Sequence, residues 1–254
     1  MTEVDLLQII ILSIIQAITE FLPISSSAHL LLPSKLLGWP DQGIIFDITV
    51  HAATLAAVLL FFRKEFLDIN FYKSRMFLLL VLATMPLVAS ALLFPSLGEY
   101  RWTLSSIAIT NIIFAILLLI SSYVGKENKQ NHRMKVCEAI FIGLFQCFSP
   151  ISGASRSGTA ITAALFLGFN KTDAAKFSLM LSIPAIAGAI IFSFLDIRDL
   201  ATDISILKTI IGFLTTFIFA YISIDIFLKV VKSIGYTPFV LYRILLGILI
   251  LWLI

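Results

Sequence analysis

The sequence predicts an all-α polytopic membrane protein with about six transmembrane helices and two re-entrant helix–loop–helix hairpins. Three observations predict it. The 254 residues are 59% hydrophobic and only 13% charged, whereas soluble domains are about 45–50% apolar and about 25% charged. Several apolar runs approach the roughly 20 residues that cross a hydrocarbon core. The basic residues sit in short loops between those runs, so the net charge of +3 does not point to nucleic acid.

The spans expected are about 43–62, 76–94, 103–123, 174–195, 207–228 and 238–254. Two other apolar stretches, about 6–38 and 137–170, are interrupted by Pro-Ile-Ser runs. In the second, the flanking pieces of about 12 residues would each rise roughly 18 Å as helix, short of a roughly 30 Å core. They are therefore expected to enter the membrane and return on one side, with the non-helical backbone buried in protein or lining a polar cavity. No cleavable signal peptide is expected, because Met1–Asp5 is acidic and no small-residue cleavage site follows a short apolar run. Cys137 and Cys147 lack metal-ligand spacing and read as small core residues rather than a disulfide.

Loop charge tests this scheme. With loop 63–75 cytoplasmic, that side holds Arg63, Lys64, Lys73, Arg75, Lys126, Lys129, Arg133, Lys135, Lys171, Lys176, Lys229 and Lys232, against Lys35, Arg101, Arg198 and Lys208 opposite. The bias holds only if each hairpin returns to its own side, the first on the outer face and the second on the cytoplasmic face. That predicts one integral-membrane domain, 1–254, of two inverted repeats, about 6–123 and 137–254, joined by a cytoplasmic loop 124–136. Pro23–His29 matches Pro150–Arg156 without gaps, setting His29 opposite Arg156.

The first motif runs from Gln16 through Glu20 and Pro23 to Ser25, Ser26, Ser27 and His29. Gln16 and Glu20 share a helix face one turn apart, and a carboxylate inside an apolar hairpin is a functional hypothesis by default. The second motif runs from Ser149 and Pro150 through Ser152, Gly153, Ser155 and Arg156 to Ser157, Gly158 and Thr159. Glycines, hydroxyls and a guanidinium at the opening of a helix describe an oxyanion cradle. The plainer readings are close helix packing for the small residues and an Arg156–Glu20 ion pair. Together the motifs supply a carboxylate, an imidazole, a guanidinium and a ring of hydroxyls, which suits phosphoryl transfer. Ser26 or His29 is the candidate nucleophile, and Glu20 the candidate base or metal ligand. A two-metal hydrolase would need more carboxylates. Asp47 and His51 support the site or pack as a polar core, Asn111 and Asp225 hydrogen-bond between helices, and Arg243 snorkels to the cytoplasmic surface.

With both motifs in view, and with Pro238, Phe239, Tyr242 and Arg243 near the end, the chain resembles the undecaprenyl-diphosphate phosphatase family, membrane enzymes associated with bacitracin resistance. The likeness covers nearly the whole chain. It implies hydrolysis of undecaprenyl diphosphate to the monophosphate and inorganic phosphate, recycling the carrier for cell-wall (peptidoglycan) synthesis. It further implies a divalent cation, Mg²⁺ or Ca²⁺, and a site open to the outer, periplasmic face of the bacterial cytoplasmic (inner) membrane. The family's functional residues carry over onto Glu20, Ser26, His29, Ser155 and Arg156, with Glu20 as the metal ligand. Where the family often has Glu, this chain has Gln16, which puts a two-carboxylate metal site in doubt.

The catalytic set expected is thus Glu20, Ser26, His29 and Arg156. The substrate-binding set is Gln16, Ser25, Ser27, Gly153, Ser155, Ser157 and Thr159. The partners expected are a polyprenyl diphosphate lipid and the bilayer, with a homodimer as a candidate assembly. The phosphatidic-acid type of lipid phosphatase is excluded, because Thr162 stands where it has histidine after its Ser-Arg and the chain has no Arg-Pro pair. The competing function is a transporter or flippase for a phosphorylated polyprenyl lipid, which the repeat would suit.

Overall fold

The computed structural model describes residues 5–94, 102–125, 129–195 and 205–254. The first apolar stretch breaks into α1 (Leu6–Thr19) and α2 (Ser26–Leu37). There follow α3 (Gly43–Phe61), a single turn α4 (Arg63–Leu67), α5 (Arg75–Leu93) and α6 (Leu104–Val124). The second stretch breaks into α7 (Val136–Gln146) and α8 (Arg156–Phe166). The chain closes with α9 (Lys171–Leu195), α10 (Ile206–Ile234) and α11 (Thr237–Leu253).

Among the described residues, five helices, α3, α5, α6, α9 and α10, are long and apolar enough to cross a membrane, and α11 is an apolar helix of 17 residues. Their bounds follow the expected spans closely, with one systematic difference. Helix α10 runs six residues past the expected end, so Lys229 and Lys232 lie on helix rather than loop. At 29 residues it rises roughly 43 Å, longer than the core, and its last turns carry these lysines toward the headgroups. Arg101, Lys126 and Arg198 of the charge count lie outside the described residues.

Both broken segments return to the side they enter from. Helices α7 and α8, 11 residues each, rise only about 17 Å. Lys129 ties their outer ends together. Its ammonium meets Glu138 in the first turn of α7, while its backbone pairs with Gly168 (3.0 Å) and Asn170 (2.9 Å) just beyond α8. In the first hairpin, Ile9 near the start of α1 and Trp39 just after α2 join one apolar cluster with Leu12, Phe46 and Val50.

The halves interlock. Helix α1 packs along α10, and α7 along α5, so the entering helix of each hairpin lies against a long helix of the other half. Small residues permit the approach: a methyl on Gly143 of α7 would stand 2.3 Å from the Ala83 carbonyl oxygen of α5. Gln146 donates to the same carbonyl (3.2 Å), while Thr216 and Ser223 of α10 donate to Ser13 (3.4 Å) and Ile18 (3.3 Å) carbonyls of α1.

Three expectations for single residues change. Cys137 and Cys147 are free thiols, as expected, but Cys137 is exposed and Cys147 only partly covered, so neither is a core residue. Asp225 pairs with Lys229 one turn along its own helix at 2.6 Å rather than with another helix. Arg243 does not reach the surface at all, for reasons given below.

Gly143→Ala is expected to lower the thermal midpoint in detergent, with an overpacking cost of about 1–3 kcal/mol. Gly188→Ala, whose methyl would meet nothing within 4 Å, is expected to leave it unchanged or raise it. A fluorescence melt of the two variants separates the outcomes.

Candidate functional site

Among the described residues, two non-glycines have positive φ, Ser25 at 71° and Ser155 at 70°, and they occupy the same place in the two hairpins. Each is the residue before the returning helix, α2 or α8. Such backbone costs on the order of 1–3 kcal/mol per residue and persists only where its surroundings enforce it. Here the enforcement is mutual. Ser25 Oγ accepts from the Gly153 N–H (3.1 Å), and Ser157 Oγ donates to the Leu22 carbonyl (3.0 Å), so each break is held by the other. Ser155 Oγ caps its own helix by accepting from the Gly158 N–H (3.1 Å).

These caps pair Ser25 with Ser155, three residues away from the gapless match that set His29 opposite Arg156. The second break is longer, residues 147–155 against 20–25, so the shared Pro-Ile-Ser run sits at a different distance from each cap.

Between the breaks lies Arg243 of α11, fully buried. Nη1 donates to the Pro23 carbonyl (3.1 Å), Nη2 to those of Gly153 (2.6 Å) and Ala154 (3.2 Å), and Nε to Asn111 Oδ1 (2.9 Å). Asn111 Nδ2 in turn donates to the Arg243 carbonyl (3.1 Å), so this asparagine does bond between helices as expected. Unwound loops leave backbone carbonyls without helical donors, and the guanidinium's five N–H groups answer them. That demand outweighs snorkelling.

The chemistry gathers on the other side of the breaks. Glu20 Oε1 accepts from Arg156 Nη2 (2.9 Å); Oε2 accepts from Ser26 Oγ (2.9 Å) and Gln16 Nε2 (3.0 Å). Arg156 Nη1 also donates to the Ser178 carbonyl of α9 (3.3 Å). His51 of α3 brings Nε2 to 4.0 Å from Glu20 Oε2 and 3.4 Å from Gln16 Nε2. This group opens into a cavity of about 400 Å³. Its floor is polar, formed by Glu20, Ser25, Ser26, Ser27, Ser155 and Arg156; its walls are apolar, with Leu87, Val88 and Ala91 from α5 and Ile186, Ala189 and Phe192 from α9.

Of the residues singled out in the sequence, those six line the cavity, and Gln16 stands directly behind Glu20, buried. Four others do not reach it. His29 points its ring to α11: Nδ1 contacts the Ser25 carbonyl (2.7 Å), Nε2 the Tyr242 hydroxyl (2.6 Å), and the rings stack at 5.6 Å. Gly153 and Ser157 bind the opposite break, and Thr159 Oγ1 returns to the Arg156 carbonyl (2.8 Å). Packing claims these four because two loops without secondary structure must satisfy each other before they can hold anything else. Conversely, His51, Thr84 and Ser149 line the cavity. Ser149 opens the second motif and His51 was a candidate support for the site, a histidine one turn from Asp47 inside an apolar span; Thr84 had no signal.

The family model for bacitracin resistance protein BacA matches residues 9–249. The chain belongs to that family. Among curated proteins it is 43% identical over 261 residues to an undecaprenyl-diphosphatase of Aliivibrio salmonicida, covering 95% of this chain and 96% of that one. It is 42% identical to the undecaprenyl-diphosphatases of Alcanivorax borkumensis (98% and 99%) and Teredinibacter turnerae (96% and 98%).

In this BacA-family chain, the donors around Glu20 suit one hard cation. Gln16 Oε1 is buried with no hydrogen-bond partner, and a carboxylate, an amide oxygen and a serine hydroxyl are the ligand types such ions take. No group of three or more His, Cys, Asp or Glu suited to a metal occurs among the described residues, so a two-metal centre does not fit. A single ion held by one carboxylate and completed by substrate phosphates does.

Arg243→Met removes the donors for three loop carbonyls, each worth about 1–3 kcal/mol if left buried and unmade. It is expected to cost about 3 kcal/mol or more in stability, read as a large fall in thermal midpoint. Asn111→Ala, which removes one neutral partner, is expected to cost less.

Proposed function

We propose that the chain is a diphosphatase of the bacterial cytoplasmic membrane that hydrolyses undecaprenyl diphosphate to undecaprenyl phosphate and inorganic phosphate, with its site on the outer, periplasmic face. The observation that carries the reading is the Glu20–Arg156 pair at the floor of a cavity whose walls are apolar. That combination matches a lipid whose charged end must leave water while its tail stays in hydrocarbon.

Orientation follows from the walls. The cavity residues of α5 and α9 lie in the halves of those helices far from Arg75, Lys171 and Lys176. With the basic ends cytoplasmic, the cavity opens in the outer half of the bilayer, between α5 and α9, where a tail can remain among lipids. The matching order of elements in the two halves, the paired serine caps and the exchanged packing of α1 and α7 support two inverted repeats, about 6–123 and 137–254.

The incoming diphosphate competes with Glu20 for the Arg156 guanidinium, whose planar fork suits phosphate oxygens. As Arg156 turns to the phosphates, Glu20 loses that positive neighbour from Oε1 and accepts the proton of the Ser26 hydroxyl, 2.9 Å from Oε2, more readily. Ser26 Oγ then gives its proton to Glu20 and attacks the terminal phosphorus, with the lipid monophosphate as leaving group. Glu20 passes that proton to the departing lipid monophosphate. It then takes a proton from water as the water oxygen attacks the phosphorus, and returns it to Ser26 Oγ as the Ser26–phosphate bond breaks and inorganic phosphate leaves. Arg156, Ser155 and Ser27 spread the charge that develops on the transferring group. A divalent cation, Mg²⁺ or Ca²⁺, held by Glu20 and Gln16 Oε1, would neutralise phosphate charge. Ser26 is preferred to His29 as nucleophile because both His29 nitrogens are engaged away from the cavity; His29 positions α2 instead. A transporter with rocking halves would have to break the buried bonds of Arg243 and the Ser25–Gly153 bond at each cycle, which disfavours that reading.

Detergent-purified protein is expected to release phosphate from undecaprenyl diphosphate, and a chelator to suppress the release. Arg156→Lys should lower turnover by about 100-fold or more, since one ammonium cannot replace the fork. Glu20→Gln and Ser26→Ala should be at least as damaging. Acid quenching with labelled substrate should trap phosphate on Ser26; a label on His29, or none beside full turnover, would overturn the assigned nucleophile. Tyr242→Phe should lower activity by no more than about 10-fold, the effect of a lost positioning bond.

A further inference from the structure

We propose that His51 completes the cation seat, so that Glu20 Oε2, Gln16 Oε1 and His51 Nε2 hold one divalent ion in a mixed nitrogen–oxygen site that favours Mn²⁺ over Ca²⁺. The proposal rests on the preceding reading only for the use of a cation.

The tautomer of His51 follows from its neighbours. Nδ1 lies 2.7 Å from the Asp47 carbonyl oxygen, which can only accept, so Nδ1 carries the proton. A neutral imidazole then presents a lone pair at Nε2. A ring N–H fixed by a backbone carbonyl, with the other nitrogen directed at a carboxylate site, is how metal-bound histidines are oriented.

Gln16 supplies the second, independent observation. Its side chain is fully buried, its Nε2 faces both Glu20 and His51, and its Oε1 has no partner. A buried amide oxygen without a donor costs about 1–3 kcal/mol. A half-turn of the amide exchanges its two ends and puts Oε1 where Nε2 stands. The amide then offers an acceptor beside two others, an arrangement that a bound cation satisfies.

The distances allow it. Gln16 Nε2 is 3.0 Å from Glu20 Oε2 and 3.4 Å from His51 Nε2, and those two are 4.0 Å apart. Three atoms at these separations share a point about 2 Å from each, matching first-row metal bonds to nitrogen and oxygen of about 2.0–2.2 Å. Calcium prefers about 2.3–2.6 Å and oxygen donors alone, whereas imidazole suits transition ions. Arg156 occupies Oε1 and Ser26 one lone pair of Oε2, whose other lone pair is open to the metal. Thus His51 contributes the ligand that Gln16, lacking a charge, does not.

The test uses full-length protein in detergent with Mn²⁺ or Ca²⁺ alone and no lipid. Pulsed electron paramagnetic resonance of bound Mn²⁺ should show coupling to an imidazole ¹⁴N, and Mn²⁺ should bind at least about 10-fold more tightly than Ca²⁺. His51→Gln should abolish the coupling, weaken Mn²⁺ binding by about 10-fold or more and bring the two ions toward equal affinity. Gln16→Glu should keep the coupling and tighten both ions, which reads the seat even if the His51 variant fails to fold. Mn²⁺ bound without nitrogen coupling, no saturable Mn²⁺ binding, or unchanged coupling in His51→Gln would overturn the proposal. Phosphate release is measured separately: release without nitrogen coupling sinks the seat and leaves the hydrolase, and coupling without release does the reverse.

Discussion

A guanidinium buried among carbonyl oxygens holds this structure's two discontinuities together. Two interrupted helices inside a membrane leave backbone groups that neither lipid nor the helices can satisfy. Arg243 gathers carbonyls of both breaks, and Asn111 fixes its remaining edge. With the breaks joined, Ser25 and Ser155 can hold strained backbone, and the first residues of α2 and α8 turn toward one cavity. The positive charge that packs the loops is therefore distinct from the positive charge that faces the cavity. Arg243 works on neutral oxygens and Arg156 on the Glu20 carboxylate.

That division of labour explains why the polar residues of the two motifs separate into inner and outer sets. Ser157, Gly153 and Thr159 satisfy backbone, while Ser26, Ser27, Ser155 and Arg156 face the cavity. A loop cannot present hydroxyls to a ligand until its own amides and carbonyls are satisfied, so roughly half of each Ser-rich run is spent on the other hairpin. The Glu20–Arg156 pair bridges them: it is the plain ion pair that packing would predict, and it also lies open to the cavity that gives it use.

The long spans were legible because length and apolarity alone decide them, and the hairpins because their pieces are too short to cross. Glu20, Ser26 and Arg156 were legible because charge and hydroxyls inside apolar runs are costly without purpose. Arg243 was misread because its partners are backbone atoms of distant loops, which residue types do not display. His29 sits beside three serines in the chain, yet α2 turns it to Tyr242, and that direction depends on how α11 lies. The correspondence of Ser25 with Ser155 was obscured by the three extra residues of the second break. His51 lies 31 residues beyond Glu20, and only the packing of α3 against α1 brings them together.

The interlocking of the halves also dictates when the protein becomes itself. Ser13 waits for Thr216, 203 positions later, and Pro23 for Arg243, 220 positions later. At synthesis rates of about 5–20 residues per second, the first hairpin spends roughly ten to forty seconds in the membrane before its partners exist. Throughout that interval its polar turn has no protein to satisfy it, so it must be sheltered by the insertion machinery or remain near the surface. Helix α11 is made after both motifs, and without it they keep their direct bonds but lack the guanidinium that spans the carbonyls of both breaks.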